Sequence, residues 1–445
     1  MRTVAIHNLG CKVNSYEAES MEQMLDKAGF TIVPFDENAT ADIYIINTCS
    51  VTNIADRKSR QMLHKAKKMN PNAIVIAAGC YVQADSEKLD KDSAVDMIIG
   101  NNKKINIVEA IAEYDKNHGN YILMEDLSVK QPYEELEIEQ VNEHTRAYIK
   151  IQDGCNQFCS YCIIPYTRGR IRSREMTDII AEVERLAKKG YKEVVLTGIH
   201  LSSYGIDNGR GSLIEVMEQI ENIDGIERIR LGSLEPRVVT EDFAKRLKQL
   251  KKLCPHFHLS LQSGCDKTLK AMNRKYTTEE YRLACERLRE YLDDPAITTD
   301  VIVGFPGETE EDFSVTKDYL ERIHFYEMHI FKFSRRKGTV ADKMPEQIDE
   351  KVKSARSNIL LELEENMSEQ YRKNYVGKQL DVLVEEITTY QGSEYYCGYS
   401  RNYIRMMIPK SELEKNYLGK DVINQIFSCT CKNLVDGKFM VCELN

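Results

Sequence analysis

Hydrophobic positions in the first 120 residues fall into short runs separated by segments of helical period. Thr3-Val4-Ala5-Ile6 leads to Leu9-Gly10-Cys11, Asp42-Ile43-Tyr44-Ile45-Ile46 to Asn47-Thr48-Cys49, and Ala73-Ile74-Val75-Ile76-Ala77 to Ala78-Gly79-Cys80. Each run is short and rich in β-branched residues, as a strand covered on both faces is. After the first, Met21, Met24, Leu25 and Ala28 recur at helical spacing until Gly29. A fourth run, 95–100, leads into the apolar-rich 105–111. Strands alternating with helices predict a parallel sheet, with ligands outside the carboxyl ends of its strands. Cys11, Cys49 and Cys80, 38 and 31 residues apart, are therefore predicted at one sheet edge. Singly, each reads as a small buried hydrophobe; together they form a three-thiol site.

The pattern then changes. Residues 123–143 read as an exposed acidic connection, with seven acids against one Lys between 125 and 143. A new run of strands follows at 146–151, 193–197, 227–231, 257–261, 298–303 and 327–331, with helix-like segments such as 179–186 between them. Six βα units are two short of a closed barrel. Strand ends here carry Gly198 and His200, Ser233 and Glu235, Gln262, and Gly304 with Gly307. Arg168, Arg170, Arg172 and Arg174 alternate with other residues, so an extended ribbon would carry them on one face, either toward phosphates or on an ordinary surface. Val352, Ala355, Ile359, Leu363 and Met367 mark a long amphipathic helix. Beyond Gly377 short β-like runs separated by Gly392, Gly419 and Asp436-Gly437 predict a small β-barrel. Tyr390, Tyr395, Tyr396, Tyr399 and Tyr403 are either base-stacking platforms or its core, and Cys397, Cys429, Cys431 and Cys442 are expected to be inert, with Cys429 and Cys431 the one pair there spaced to bind metal.

A chain of 445 residues, 42% hydrophobic and 29% charged, has room for two or three cored domains. It holds no apolar run of about 20 residues and does not begin like a signal peptide, so neither membrane nor export is expected. Thirteen cysteines in such a chain imply ligands and buried thiols in a reducing cytoplasm, not a disulfide framework. The formal charge of −9 means that any nucleic-acid partner meets a local basic surface. The segment after Cys49, with Arg57, Lys58, Arg60, Lys65, Lys67 and Lys68, is either such a surface or a solvated helix face.

The most specific signal is Asp153-Gly154-Cys155-Asn156-Gln157-Phe158-Cys159-Ser160-Tyr161-Cys162, three thiols within eight residues. Thiolates select zinc or iron–sulfur clusters. Structural zinc takes four ligands, usually as two separated pairs, and no Cys or His follows Cys162 within thirty residues. Three ligands on a four-iron cluster leave one iron open to a substrate. A zinc knuckle completed from distant chain is the alternative. Phe158 is assigned to core packing.

This Cys-x-x-x-Cys-x-x-Cys loop resembles that of the radical S-adenosylmethionine (SAM) enzymes, and with Cys11, Cys49 and Cys80 the chain resembles the methylthiotransferase family along essentially its whole length. The resemblance implies a multidomain α/β fold: a Rossmann-like domain at 1–122, a linker at 123–143, a partial (βα)6 radical SAM barrel with its connecting helix at 144–372, and a TRAM barrel that binds RNA at 373–445. It implies two 4Fe-4S clusters, an auxiliary one on Cys11, Cys49 and Cys80 and a radical-generating one on Cys155, Cys159 and Cys162. It implies SAM, cleaved to a 5′-deoxyadenosyl radical, with Tyr161 beside the adenine and Gly198, His200, Ser233, Glu235, Gln262 and Gly304 around the rest. Arg274 is either a SAM carboxylate ligand or a surface ion pair. Gly10-Cys11-Lys12-Val13-Asn14-Ser15-Tyr16-Glu17 is most similar to the branch that adds a methylthio group to carbon two of threonylcarbamoyladenosine in tRNA. Branches acting on isopentenyladenosine or a ribosomal protein, or an electron-transfer or regulatory iron–sulfur protein, are the other readings. The implied partners are a tRNA anticodon stem-loop, a sulfur donor and an electron donor such as flavodoxin or ferredoxin, around a monomer.

Overall fold

A computed structural model describes residues 1–117, 119, 121–139, 145–417, 419 and 421–445. The end of the expected linker, 140–143, and residue 144 lie outside the described residues.

The apolar runs of the N-terminal region form one parallel sheet of β1 (Thr3–Asn8), β2 (Thr31–Ile32), β3 (Ile43–Thr48), β4 (Ile74–Gly79), β5 (Met97–Ile99) and β6 (Tyr121–Leu123), in the order β2-β1-β3-β4-β5-β6. Its strands are apolar on both faces because helices cover both: Ile43, Ile45 and Ile76 join one core, Tyr44, Ile46 and Val75 the other. Two of those helices are α1 (Lys12–Lys27) and α2 (Asn53–Met69). Asn8 pairs with Asn47 and Thr48 with Gly79, so β1, β3 and β4 end at one level.

The central strands are β7 (Ala147–Asp153), the short β8 (Arg172–Ser173), β9 (Glu193–Gly198), β10 (Arg228–Leu231), β11 (His256–His258), β12 (Ala296–Val303) and β13 (Glu327–Lys332). β10-β9-β7-β8 and β11-β12-β13 form two ladders, joined by a parallel bridge between Leu234 and Leu259. Apart from β8, antiparallel to β7, the strands run parallel, as six units of an incomplete barrel should. Alternation puts Val194, Leu196, Ile229, Leu231, Val301 and Val303 in the core under the helices, and the residues between them in the lumen.

The helix Glu350–Lys373 leads into a closed barrel of β14 (Gln379–Tyr390), β15 (Ser393–Ser400), β16 (Arg405–Pro409), β17 (Ile426–Val435) and β18 (Phe439–Leu444). Cys429, Cys431 and Cys442 belong to its core, as does Tyr396, while Cys397 is buried nearby.

The acidic connection is not an exposed spacer. Leu127, Leu136 and Ile138 are buried, Tyr16 donates to the Leu136 carbonyl at 2.6 Å, and Tyr133 donates to that of Lys150 at 2.8 Å. Acids alternate with apolar residues there, so the segment lies as a strap with one side packed.

Candidate active site

Cys11, Cys49 and Cys80 follow β1, β3 and β4. Two glycines let these turns approach. A Cβ on Gly10, at φ 115°, would lie 3.1 Å from the Cys49 Cβ, and one on Gly79, at φ 97°, would lie 2.7 Å from the Thr48 carbonyl oxygen. Cys80 Sγ accepts hydrogen bonds from Arg168 Nε at 3.2 Å and Asn101 Nδ2 at 3.5 Å. Burial pushes the Cys49 thiol up to about 11, and Cys11 is exposed.

The second triad hangs from the end of β7. Gly154 is obligatory, since a Cβ there would stand 1.9 Å from the Arg170 carbonyl oxygen. The loop is pinned along its length: Cys155 N–H donates to Gly169, Ser160 N–H to Met272 and Asn273 Nδ2 to Phe158, at 3.0, 2.9 and 2.8 Å. Phe158 packs edge-on to Tyr166, with the Arg170 guanidinium 4.6 Å from its ring centre. Burial pushes Cys155 up to about 11 and Cys162 to about 12. A thiol so placed ionises when a metal cation replaces its proton. The sulfurs of one tetrahedral zinc ion sit about 3.8 Å apart. Among the described residues neither triad brings its sulfurs within 4.8 Å of one another; the group that does converge is His258, Asp300 and His329. The all-thiol donor set fits iron–sulfur clusters, whose ligands sit on separate irons.

Around the mouth, His200 and Glu235 meet, Nε2 to Oε2 at 3.3 Å, and Gln157 of the cysteine loop donates to the same carboxylate at 3.3 Å. Burial alone would raise Glu235, but hydrogen bonds from His200 and Arg237 hold it at about 2. A Cβ on Gly198 would stand 2.9 Å from Gln152 Oε1 and 3.0 Å from Gln152 Cβ, and that oxygen accepts from the His200 N–H at 2.7 Å. Tyr161 meets Phe305 edge-on at 6.5 Å, next to Gly304 at φ 71°. Gln262, at φ 73°, is bridged to Val301. Ser233 is exposed at the end of β10. Arg274 is not a surface ion pair: it donates to Cys159 Sγ at 3.2 Å and lies over the Tyr276 ring at 4.8 Å.

The arginine ribbon is a finding against expectation. Arg168, Arg172 and Arg174 are buried, facing acids supplied from elsewhere in the chain rather than phosphates. Arg168 Nη1 donates to Glu17 Oε1 at 2.7 Å and Asp153 Oδ2 at 3.2 Å, and its Nη2 to Asn14 Oδ1 at 2.5 Å. Lys104 and Lys150 each reach the Glu17 carboxylate at 2.8 Å, and Arg174 pairs with Glu182. This network locks α1 onto β7, and sequence reading missed Glu17, Asp153 and Lys150 because each looks like an ordinary surface charge. A second clamp runs through residues 334–341. Arg336 donates to Ser50 Oγ at 2.8 Å beside Cys49 and to Asp56 at 2.7 Å, while the Ala341 N–H donates to Ser160 beside Cys159 at 2.7 Å. One short segment thus touches both thiol loops.

A partial parallel barrel with a three-thiol loop at its strand ends defines a radical SAM enzyme, and residues 149–320 match the radical SAM superfamily. Residues 3–100 match the family described as "Uncharacterized protein family UPF0004". The chain is 37% identical to a threonylcarbamoyladenosine tRNA methylthiotransferase MtaB of Bacillus subtilis, over 93% of this chain and 91% of that one. It is 39% identical to the Aquifex aeolicus MtaB over 86% and 93%, and 38% identical to a tRNA-2-methylthio-N(6)-dimethylallyladenosine synthase of Thermoanaerobacter over 86% and 82%. The protein belongs to the radical SAM methylthiotransferase family. It is an enzyme whose cofactors are SAM and 4Fe-4S clusters. Among solved structures, the radical SAM methyltransferase TsrM of Kitasatospora setae has the same fold at TM-score 0.56 and 15% identity, over 74% of this chain and 73% of that one. None of the described helices is long and apolar enough to cross a membrane.

Proposed function

We propose that this enzyme transfers a methylthio group to carbon two of N6-threonylcarbamoyladenosine next to a tRNA anticodon. Cys155, Cys159 and Cys162 hold the radical-generating cluster, and Cys11, Cys49 and Cys80 the auxiliary one. When bound, the first cluster and SAM supply a 5′-deoxyadenosyl radical, which suits a ring C–H bond with no acidic proton or leaving group. The chain's own residues position and shield. Tyr161 and Phe305 face the adenine of SAM, Gly304 allows close backbone approach, and Gln262 and Ser233 stand at neighbouring strand ends. Glu235, ionised between His200 and Arg237, accepts from the ribose or ammonium. Arg274, through Cys159 Sγ, stabilises the loop in its thiolate form.

The observation that supports the reading is the segment 334–341, which reaches both Ser50 and Ser160 and so ties the two thiol loops together, and the target base is assigned to the space between the triads. The relatives named for threonylcarbamoyladenosine support the substrate, as does Gly10-Cys11-Lys12-Val13-Asn14. The TRAM-like barrel from residue 373 and the exposed cations of α2 supply RNA contacts. A flavodoxin or ferredoxin delivers electrons, a separate sulfur donor replenishes the methylthio sulfur, and the enzyme acts as a cytoplasmic monomer. Mass spectrometry of tRNA nucleosides from a deletion strain tests this: 2-methylthio-threonylcarbamoyladenosine disappears and returns with the gene. Its persistence would overturn the substrate reading.

A further inference from the structure

Arg168 is bonded to both triads. It follows the short helix Ile164–Thr167, six residues past Cys162, and its side chain crosses to the N-terminal domain. Its Nε donates to Cys80 Sγ at 3.2 Å. Its Nη2 donates to Asn14 Oδ1 at 2.5 Å, and Asn14 Nδ2 donates in turn to the carbonyls of Leu9 at 2.7 Å and Thr48 at 3.1 Å. Leu9 lies two residues before Cys11, and Thr48 directly before Cys49. One guanidinium therefore reaches, directly or through Asn14, all three turns that carry the sheet triad. On its other side, Nη1 donates to Asp153 Oδ2 at 3.2 Å, and Asp153 Oδ1 accepts the Gly154 N–H at 2.7 Å. The carbonyl of the next residue, Gly169, accepts the Cys155 N–H at 3.0 Å.

The surroundings are buried and charged. Lys104, Lys150, Arg168 and Arg172 are the cations that reach Glu17 or Asp153, four on two carboxylates, and each of these side chains is at most 2% exposed. The sulfur under Arg168 becomes one more anion there once a metal replaces its proton. Arg274 makes the matching bond in the loop triad, to Cys159 Sγ at 3.2 Å, but its other donors meet the Tyr276 hydroxyl and the Ser260 carbonyl, not a carboxylate. Arg168 instead shares its guanidinium with Glu17, Nη1 to Oε1 at 2.7 Å and Nη2 to Oε2 at 3.0 Å. Reduction of an iron–sulfur cluster adds an electron to a unit that its thiolates already make negative. Donors and cations at the sulfurs favour the added charge and raise the reduction potential, and nearby carboxylates lower it. The low dielectric of a buried site strengthens both effects.

We propose that Arg168 is a positioning residue through which the barrel sets the reduction potential of the auxiliary cluster: its N–H on Cys80 raises that potential, and Glu17, drawing on the same guanidinium, holds it down. This inference rests on the reading that Cys11, Cys49 and Cys80 carry a 4Fe-4S cluster. Mechanically the two residues do one job, since losing either loosens the clamp between α1 and β7. Electrically they are opposed. Removing the positive charge beside the sulfur disfavours the reduced cluster, whereas removing the negative one favours it. The sign of the shift therefore separates tuning from mere support.

The test is a redox titration of the full chain, reconstituted with iron and sulfide, in a Cys159→Ala background that leaves the sheet triad to hold the cluster. Dithionite supplies one electron per cluster, no bond forms or breaks, and electron paramagnetic resonance reads the fraction reduced at each poised potential. Arg168→Gln is expected to lower the reduction equilibrium constant about tenfold, which is about 59 mV for a one-electron couple. Arg168→Lys, which keeps the charge, should recover part of that loss, and Glu17→Gln should shift the potential upward. Shifts of the same sign in Arg168→Gln and Glu17→Gln, or no shift in either, overturn the assignment. If one variant takes up no iron, the other decides by its sign: the expected direction supports the assignment, and no shift or the reverse overturns it. A background chain with native Arg168 and Glu17 whose sheet triad takes up no four-iron cluster overturns the auxiliary-cluster reading itself, which is a different outcome.

Discussion

Cys155, Cys159 and Cys162 lie within eight residues of one loop, whereas Cys11, Cys49 and Cys80 come from three strand ends of a parallel sheet. The loop triad hangs from one strand end and turns on its own backbone, with Cys162 N–H donating to Cys159 at 2.9 Å, and Met272, Asn273 and Ala341 brace it from further along the chain. The sheet triad needs the register of β1, β3 and β4, positive φ at Gly10 and Gly79, and an arginine from the other domain on Cys80. A locally built site survives disturbance of the surrounding sheet, while one assembled from distant strands depends on the global fold.

The largest expected effect separates the two sites chemically. Cys159→Ala should lower bound iron by about four atoms per chain, the content of one 4Fe-4S cluster, and abolish 5′-deoxyadenosine formation from SAM. Cys49→Ala should lose the same iron and all methylthio transfer while still cleaving SAM. Iron analysis and chromatography of the SAM products read both. A Cys49→Ala chain with no 5′-deoxyadenosine would mean that the two triads are not separable.

Next in size is the dependence of the sheet triad on the clamp. Glu17 accepts from Lys104, Lys150 and Arg168 in full burial, so Glu17→Ala leaves three cations short of one acid. Breaking a buried ion pair from one side costs about 3–5 kcal/mol, against about 0–1 kcal/mol for an exposed pair such as Lys27–Glu139. The thermal midpoint should fall clearly in Glu17→Ala and barely in Glu139→Ala, and the sheet triad should lose its iron before the loop triad does. Equal iron retention at both would remove the contrast.

The same residues mark where sequence reading stopped. Both triads were legible, the loop from spacing alone and the other because a strand signature precedes a cysteine three times. The alternation of Arg168 to Arg174 was also legible, but the single extended face it predicts is not formed: Gly169 turns the chain at φ 71°, Arg170 lies over Phe158, and only Arg168, Arg172 and Arg174 turn inward. That depends on Glu17, Asp153 and Glu182, which come from α1, the end of β7 and the helix Met176–Lys188. An alternating charged strand is the same in sequence whether the opposing charges are water-borne phosphates or buried carboxylates. The acidic connection misled for a like reason: Leu127, Leu136 and Ile138 sit among acids that dominate its composition.

Acid should dissolve the clamp before it touches the loop. Burial works against ionisation of Glu17 and Asp153, yet Arg168, Lys104 and Lys150 hold Glu17 well below the usual carboxylate range, and Lys150, Arg168 and Arg172 do the same for Asp153. Unfolded carboxylates titrate near 4. Acids depressed in the folded state contribute stability in full above that value and lose it as pH falls through it toward the folded values. Glu134 and Glu182, raised by burial, oppose this in part. Urea midpoints should stay level from pH 7 to about 5 and decline below about 4, less steeply in Glu17→Gln than in wild type. An identical decline in both would place the acid sensitivity elsewhere.

The smallest effect concerns what the sheet triad has nearby and the loop triad lacks, a basic helix that starts beside it. In α2, Lys65 pairs with Glu37 at 2.9 Å and Lys67 with Asp96 at 2.8 Å, while Arg60 donates to the Tyr81 hydroxyl at 2.9 Å. These three are structural. Arg57, Lys58 and Lys68 are exposed and open to phosphates. Each phosphate contact adds about 0.9 to the slope of log affinity against log salt. Arg57→Ser should therefore reduce that slope for tRNA binding by about one and weaken binding only a few-fold at physiological salt, whatever the nucleoside at the target position. Lys65→Ser, which breaks an ion pair instead, should leave the slope unchanged. If both variants leave it unchanged, the helix face meets only solvent, and the RNA approaches the two triads from the side of the C-terminal barrel.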